Sequence, residues 1–393
     1  MTPYGLKSPE TRLLLDCCRG GEISLGAGAT APDWTHLAQR ATASGLGALV
    51  YTSLKRRADM LPPEALQRLR AAYMAPAAGN LRLLGALGRL LRQIGTREIP
   101  VMLLKGTALV ALVYRDPALR PMGDADLLIR RQDIPMLVNI MAECDMIPAA
   151  VPMSVEEYDR EHHHWIPYVA RDGSLAVELH FDLVPPAKSI RPCIEDIWAA
   201  ASSGAIGGVA VLVPSLEHLL LHLTIHVCSS PPFEPPLRGL YDMAQTIRVA
   251  GAGIDWDGFV AAAEKWNAAR QAWCGLTLAQ DWMSADIPPP VLARLEKACR
   301  FRLGERAALL RVSRFLALRP TVERGPAAVQ ERIFDLVVEP GSAGAKLLSA
   351  LKVVWDELQI SARAAMPGLP RWALPFYAAF LHPFFLLARR GSP

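Results

Sequence analysis

The stretch that most constrains this chain runs from Val101 to Ile129, VMLLKGTALVALVYRDPALRPMGDADLLI, where a glycine turn after an apolar run precedes two closely spaced aspartates. VMLLKGT reads as a buried strand that breaks at Gly106, where the missing side chain lets a backbone approach a ligand. In Asp124-Ala125-Asp126-Leu127-Leu128-Ile129 the pleat repeats every two residues, so Asp124 and Asp126 share one face while Leu127 and Ile129 share the other. Alone, the two carboxylates would repel and raise each other's pKa; a divalent cation such as Mg²⁺ would hold both ionised through hard oxygen ligands. The spacing suits metal-assisted phosphoryl or nucleotidyl transfer, although an exposed strand edge carries alternating acids for no functional reason too.

The residues around this pair extend the reading. Ala108 to Tyr114 continues as an apolar helix whose N-terminus offers free N–H groups and a positive dipole end to an anion, with the Thr107 hydroxyl as a further donor. Lys105 either neutralises a phosphate charge or is a solvated strand-end residue. Arg120 suits a bidentate grip on phosphate oxygens, against the plainer reading of an ion pair with Asp116 or Asp124. Downstream, Trp165 to Ala170 and Leu175 to Leu183 read as strands joined by the hairpin turn Arg171-Asp172-Gly173-Ser174. In the second strand Glu178 and His180 share a face; beside the aspartate strand it would bring in Glu178 as a third carboxylate, with Asp182 the rival. Adjacent histidines in Glu161-His162-His163-His164-Trp165 point to opposite faces and lack the spacing of a tight metal site, so His164, like His180, is read as an acceptor contact or part of a polar strand start.

The pattern LKGTAL, VYRDP, R-x-M-G-D-A-D-L-L-I and the later VELHFDL resembles the bacterial family of uncharacterised nucleotidyltransferases, within the polymerase-beta-like nucleotidyltransferase superfamily. The resemblance covers roughly residues 30 to 270. It implies an α/β (α+β) fold, a small mixed-sheet catalytic core embedded in N- and C-terminal helical regions. The implied reaction is Mg²⁺- or Mn²⁺-dependent transfer of a nucleoside monophosphate from an NTP, ATP being expected, to an acceptor hydroxyl. Asp124, Asp126 and Glu178 would hold the metal, Glu178 would also help deprotonate the acceptor, and Lys105, Gly106, Thr107 and Arg120 would meet the phosphates. Arg238 and Asp242, in LRGLYDMAQTI, resemble a motif of the family's helical part, implying nucleotide binding or a helix–helix ion pair. Two features depart from the family: the interval from Gly106 to Asp124 is long, and many relatives carry an apolar residue at the position of Lys105. Kinase-like phosphoryl transfer at the same site and a catalytically inactive peptide- or carrier-binding module are the alternatives.

The rest of the chain reads as scaffold. With 393 residues, 51% hydrophobic, it can bury a substantial core. A formal charge of +4, from 42 basic and 38 acidic residues, is too balanced to indicate nucleic-acid binding. Seven cysteines without a CxxC pair argue against a disulfide framework or a zinc ribbon, and with no secretory signal at the N-terminus they predict a cytoplasmic protein. The sequence divides into a helical region at 1–97, the catalytic core at 98–200, a helical domain at 201–330 and a helical tail at 331–393. Within these, Trp34 to Leu54 and Pro63 to Ile94 read as helices, with Asp33 an N-cap, and the Gly-rich stretch Ser203 to Gly208 marks a change of organisation. Ser215 caps a helix to Val227 carrying His218, His222 and His226 as a stripe; core histidines are the plain reading, and a hydrolase metal face the sharper one. The apolar run from Trp372 to Ala388, broken by Pro375 and Pro383, suggests docking on the protein, dimerisation or peripheral membrane contact rather than a span.

Overall fold

The computed structural model describes residues 8–20, 23, 32–228, 233, 235, 237–318, 334–335 and 337–339. The apolar run 372–388 lies outside them. Seven short strands form one mixed sheet: β1 (Met102–Leu103), β2 (Ala125–Leu128), β3 (Met146–Pro148), β4 (Tyr168–Ala170), β5 (Ala176–His180), β6 (Ser202–Ile206) and β7 (Val209–Val213). Their order is β3-β4-β5-β2-β1-β7-β6, so the strands nearest the two aspartates are central. Two pairings are parallel, β2 with β5 and β1 with β7, and the others are antiparallel. All four residues of β2, the acid-bearing strand, are buried, so both faces of the sheet are covered there.

Three helices cover the region of the site. Pro63–Gly95, 33 residues long, packs on β7 and on the 3-10 turn Pro117–Leu119, burying Leu83, Leu87, Leu90, Leu91 and Ile94. It runs through Pro76, an interior proline that removes one helical hydrogen bond. Lys105–Leu112 and Leu216–Val227 pack on each other, and the first also meets β2 and β6. Further along, Ala269–Met283 is apolar nearly all round and buried, as expected of the central member of a helical bundle. Helices Arg238–Ala250, Leu216–Val227, Pro289–Cys299 and Glu305–Leu318 surround it.

Several boundaries differ from the sequence-based expectation. The helix expected over Trp34–Leu54 is two, Trp34–Ala43 and Gly47–Leu54, because Gly45 turns left-handed with φ +65°. Asp33 caps the first, accepting a hydrogen bond from the His36 N–H at 3.0 Å. Ser203 to Gly208 is no boundary between regions: it is part of the β6–β7 hairpin, and β7 pairs with β1, so the sheet runs past residue 200 to Val213. The strand before the glycine turn is only Met102–Leu103, and the chain breaks at Lys105 rather than Gly106.

Candidate active site

Lys105 is the first residue of the helix Lys105–Leu112 and has φ +42°, a left-handed backbone that costs an L-residue about 1–2 kcal/mol. The turn delivers its side chain to the acidic strand: Nζ donates to Asp126 Oδ1 at 2.7 Å. Gly106 and Thr107 lie beneath the surface instead. A Cβ on Gly106 would stand 3.3 Å from the Met122 side chain, a tight approach, so the loop before β2 packs closely over this glycine. The Thr107 hydroxyl donates to the Leu104 carbonyl at 2.8 Å and is 1% exposed, so it faces no ligand here. What the turn presents to solvent is the half-buried Lys105.

The parallel pairing of β2 with β5 sets Asp126 directly beside Glu178 and Leu128 beside His180. The expected juxtaposition of the second strand with the aspartates is therefore realised. His180, fully buried, places Nε2 2.8 Å from Asp126 Oδ1 and 3.2 Å from Glu178 Oε2. Asp126, Glu178 and His180 offer ligand atoms that all lie within 4.8 Å of one another, the one grouping of metal-ligating type among the described residues. The two carboxylates are the hard oxygen ligands that suit Mg²⁺ or Mn²⁺, whereas the softer imidazole nitrogen here bonds both acids. Asp124, just before β2, is exposed, and its charge interacts with those of Asp126 and Glu178.

Electrostatics separate the acids. Burial alone would raise the Asp126 carboxyl, but the Lys105 ammonium and the His180 hydrogen bond hold it well below the usual carboxylate range. Burial of the carboxyl among its neighbours, reinforced by the charges of Asp126 and Glu178, pushes Asp124 up to about 6. Glu178 is lowered against burial by its His180 hydrogen bond, and His180 is raised by its bonds to both acids against burial and Lys105. Burial and the nearby His180 push His163 down to about 2, so it is neutral.

The remaining expected site residues fall into supporting positions. Arg120 pairs with neither Asp116 nor Asp124; its Nε donates to Asp242 Oδ2 at 2.9 Å, and the Tyr114 hydroxyl bonds Asp242 Oδ1 at 2.7 Å. Asp242, 2% exposed, is thus an anchor for the loop and not a nucleotide contact in this arrangement. Arg238 donates to the Pro121 carbonyl at 2.6 Å, and its guanidinium fills the space a side chain at Gly45 would take. Neither expected acceptor contact is free: His180 serves the acids, and His164, paired with His180 as an isolated bridge, has Nδ1 2.9 Å from the Trp165 carbonyl. Asp182, the rival third acid, accepts from the Leu183 N–H at 2.6 Å, beyond the end of β5.

One feature went unread in the sequence. Asn80, 1% exposed on Pro63–Gly95, donates to the Pro117 and Arg120 carbonyls at 2.6 and 2.8 Å and accepts from the Met122 N–H at 3.2 Å, holding the whole loop before β2. An asparagine four residues after a proline in a long helix is no signal by itself. The histidine stripe, expected as core histidines or as a hydrolase metal face, lies on Leu216–Val227. His218 stacks on Trp266 at 5.3 Å, whereas His222 and His226 feel the charges of Lys105 and Asp126 from behind the site. The three do not form a metal grouping among the described residues.

No curated protein matches this chain. Among solved structures, ANT(2'')-Ia in complex with adenylyl-2''-tobramycin is 15% identical with a TM-score of 0.33, covering 47% of this chain and 97% of that one. A solution structure of the antibiotic-resistance factor ANT(2'')-Ia is 17% identical with the same TM-score, covering 47% and 93%. JHP933 from Helicobacter pylori is 12% identical with a TM-score of 0.29, covering 72% and 97%. The family described as uncharacterised nucleotidyltransferase matches residues 30–284, which takes in the Lys105 turn, both acid-bearing strands and the loop anchors Asn80, Arg238 and Asp242, and the chain belongs to that family.

Proposed function

We propose that the chain transfers a nucleoside monophosphate from an NTP, in the first instance ATP, to an acceptor hydroxyl and releases pyrophosphate. The observation that carries this is the in-register Asp126–Glu178 pair, with Asp124 just ahead of it, beside a helix N-terminus in a nucleotidyltransferase chain. Asp124, Asp126 and Glu178 would hold Mg²⁺ or Mn²⁺, which when bound supplies neutralisation of phosphate charge and a template for in-line displacement. The chain's own part follows from its charges. Asp126, kept ionised by Lys105 and His180, is a ready ligand at any pH near neutral. Lys105, the half-buried cation at the start of this helix, faces the anionic phosphates. Glu178, which keeps a quarter of its side chain exposed, accepts the acceptor's hydroxyl proton as the new oxygen–phosphorus bond forms and the bond to pyrophosphate breaks.

The acceptor is a hydroxyl-bearing small molecule, peptide or protein. ATP labelled at the α-phosphate separates the readings: label on the acceptor supports nucleotidyl transfer, labelled ADP a kinase, and neither, with no Mg²⁺-dependent ATP binding, a binding module. Glu178→Gln lowers the rate by about 100-fold and Asp126→Asn by more, with the fold retained by circular dichroism. Unchanged Mg²⁺ and ATP binding in Asp124→Ala/Asp126→Ala sinks the site assignment.

A further inference from the structure

We propose that the Lys105 ammonium takes the place of one of the two divalent cations that phosphate-transfer centres of this kind use, leaving a site for a single metal ion. The inference rests on the nucleotidyl-transfer reading above and specifies its metal requirement. A carboxylate that bridges two ions gives one oxygen to each. Here Asp126 Oδ1 already receives Lys105 Nζ at 2.7 Å and His180 Nε2 at 2.8 Å, so only Oδ2 is left for an ion. The ammonium is built in: Lys105 and Asp126 side chains are 15% and 6% exposed, and Lys105 reaches the acid from a backbone held at φ +42°. An unfavourable backbone retained at the one residue that delivers a cation to the cluster points to a role for that cation.

Charge balance agrees with the geometry. Asp124, Asp126 and Glu178 all interact with Lys105. Three carboxylates against one ammonium leave two negative charges, or one when His180 between Asp126 and Glu178 carries a proton, and either is matched by a single divalent ion rather than by two. A second ion would have to displace Lys105 from Asp126 or sit against a positive charge held in a nearly closed site, where repulsion is poorly screened. Lysine also suits the task chemically, as a compact charge able to stand where an ion would.

The test is a MnCl₂ titration of the whole chain in the presence of α,β-methylene ATP, with free Mn²⁺ read by electron paramagnetic resonance and nucleotide-only binding subtracted. Wild type and Lys105→Arg are expected to bind one Mn²⁺ per chain, and Lys105→Met two, the second lost again in Lys105→Met/Asp126→Asn. Two ions on wild type overturn the inference, as does one ion on a folded Lys105→Met. Should Lys105→Met not fold, the wild-type stoichiometry decides alone. No Mn²⁺ on wild type overturns the metal-dependent reading itself, which separates the two failures.

Discussion

Asp124 and Asp126 are two residues apart and identical in chemistry, yet their surroundings drive them in opposite directions. Asp124 moves up from 3.8 to about 6, so the folded chain binds its proton more tightly than the unfolded chain. The metal-free protein therefore loses stability through this group as pH rises from about 4 to about 6. Asp126, held low, works the other way and loses stability as pH falls through and below the ordinary aspartate range. Asp124→Asn is expected to stabilise the metal-free protein near pH 7.5 by on the order of 0.5–1 kcal/mol, the modest size reflecting solvent screening of an exposed carboxylate. Near pH 4 the gain vanishes; urea unfolding in EDTA at the two pH values measures both, and an equal gain at each refutes the titration. At this scale the acids were legible in the sequence, because period-two alternation is local and Glu178 and His180 share a strand face by the same rule. Which partner each cation chooses was not, since Arg120 and Asp242 stand 122 residues apart and no local pattern joins them.

Elements fix what residues alone cannot. Asn80 makes three hydrogen bonds to the loop before β2 from inside a buried interface, so Asn80→Ala strips the Arg120 carbonyl and the Met122 N–H of that partner and leaves the Pro117 carbonyl only the Arg120 N–H. A loss of about 2–3 kcal/mol is expected from the urea midpoint, together with a fall in activity, since the freed loop leads straight into Asp124. Gly45→Ala is the complementary case. It asks alanine to adopt φ +65° and sets a Cβ 1.6 Å from Arg238 Nη2. The expected cost is about 2–4 kcal/mol, and Arg238→Ala recovers the clash but not the backbone strain, which a double-mutant cycle resolves. Long helices, their caps and the hairpin at Gly173 were readable from periodicity and turn residues. The β6–β7 hairpin was not: glycines at 204, 207 and 208 look like a linker until β7 is seen paired with β1, more than a hundred residues back.

On the scale of the molecule, the sheet has no independent existence. Pro63–Gly95 packs on β7, and Lys105–Leu112, which meets β2 and β6, packs in turn on Leu216–Val227, so the expected division at 97 and 200 cuts through packed surface. A fragment of residues 98–213 is expected to show no cooperative thermal transition, whereas 32–318 melts cooperatively; a sharp melt for the shorter piece contradicts this. Among the described residues no helix is long and apolar enough to cross a membrane. The overall class, a mixed sheet within helices, was legible because strand-period and helix-period segments alternate, but the extent of the sheet depends on long-range pairing. One atom shows what such pairing does for the chain. The Pro121 carbonyl accepts from Arg120 at 2.8 Å and from Arg238 at 2.6 Å, two guanidinium groups arriving from different parts of the sequence. Each arginine backs up the other at that one atom, so loss of either leaves the Pro121 carbonyl bonded, while the Asn80 contacts hold the rest of the loop that leads into the acids.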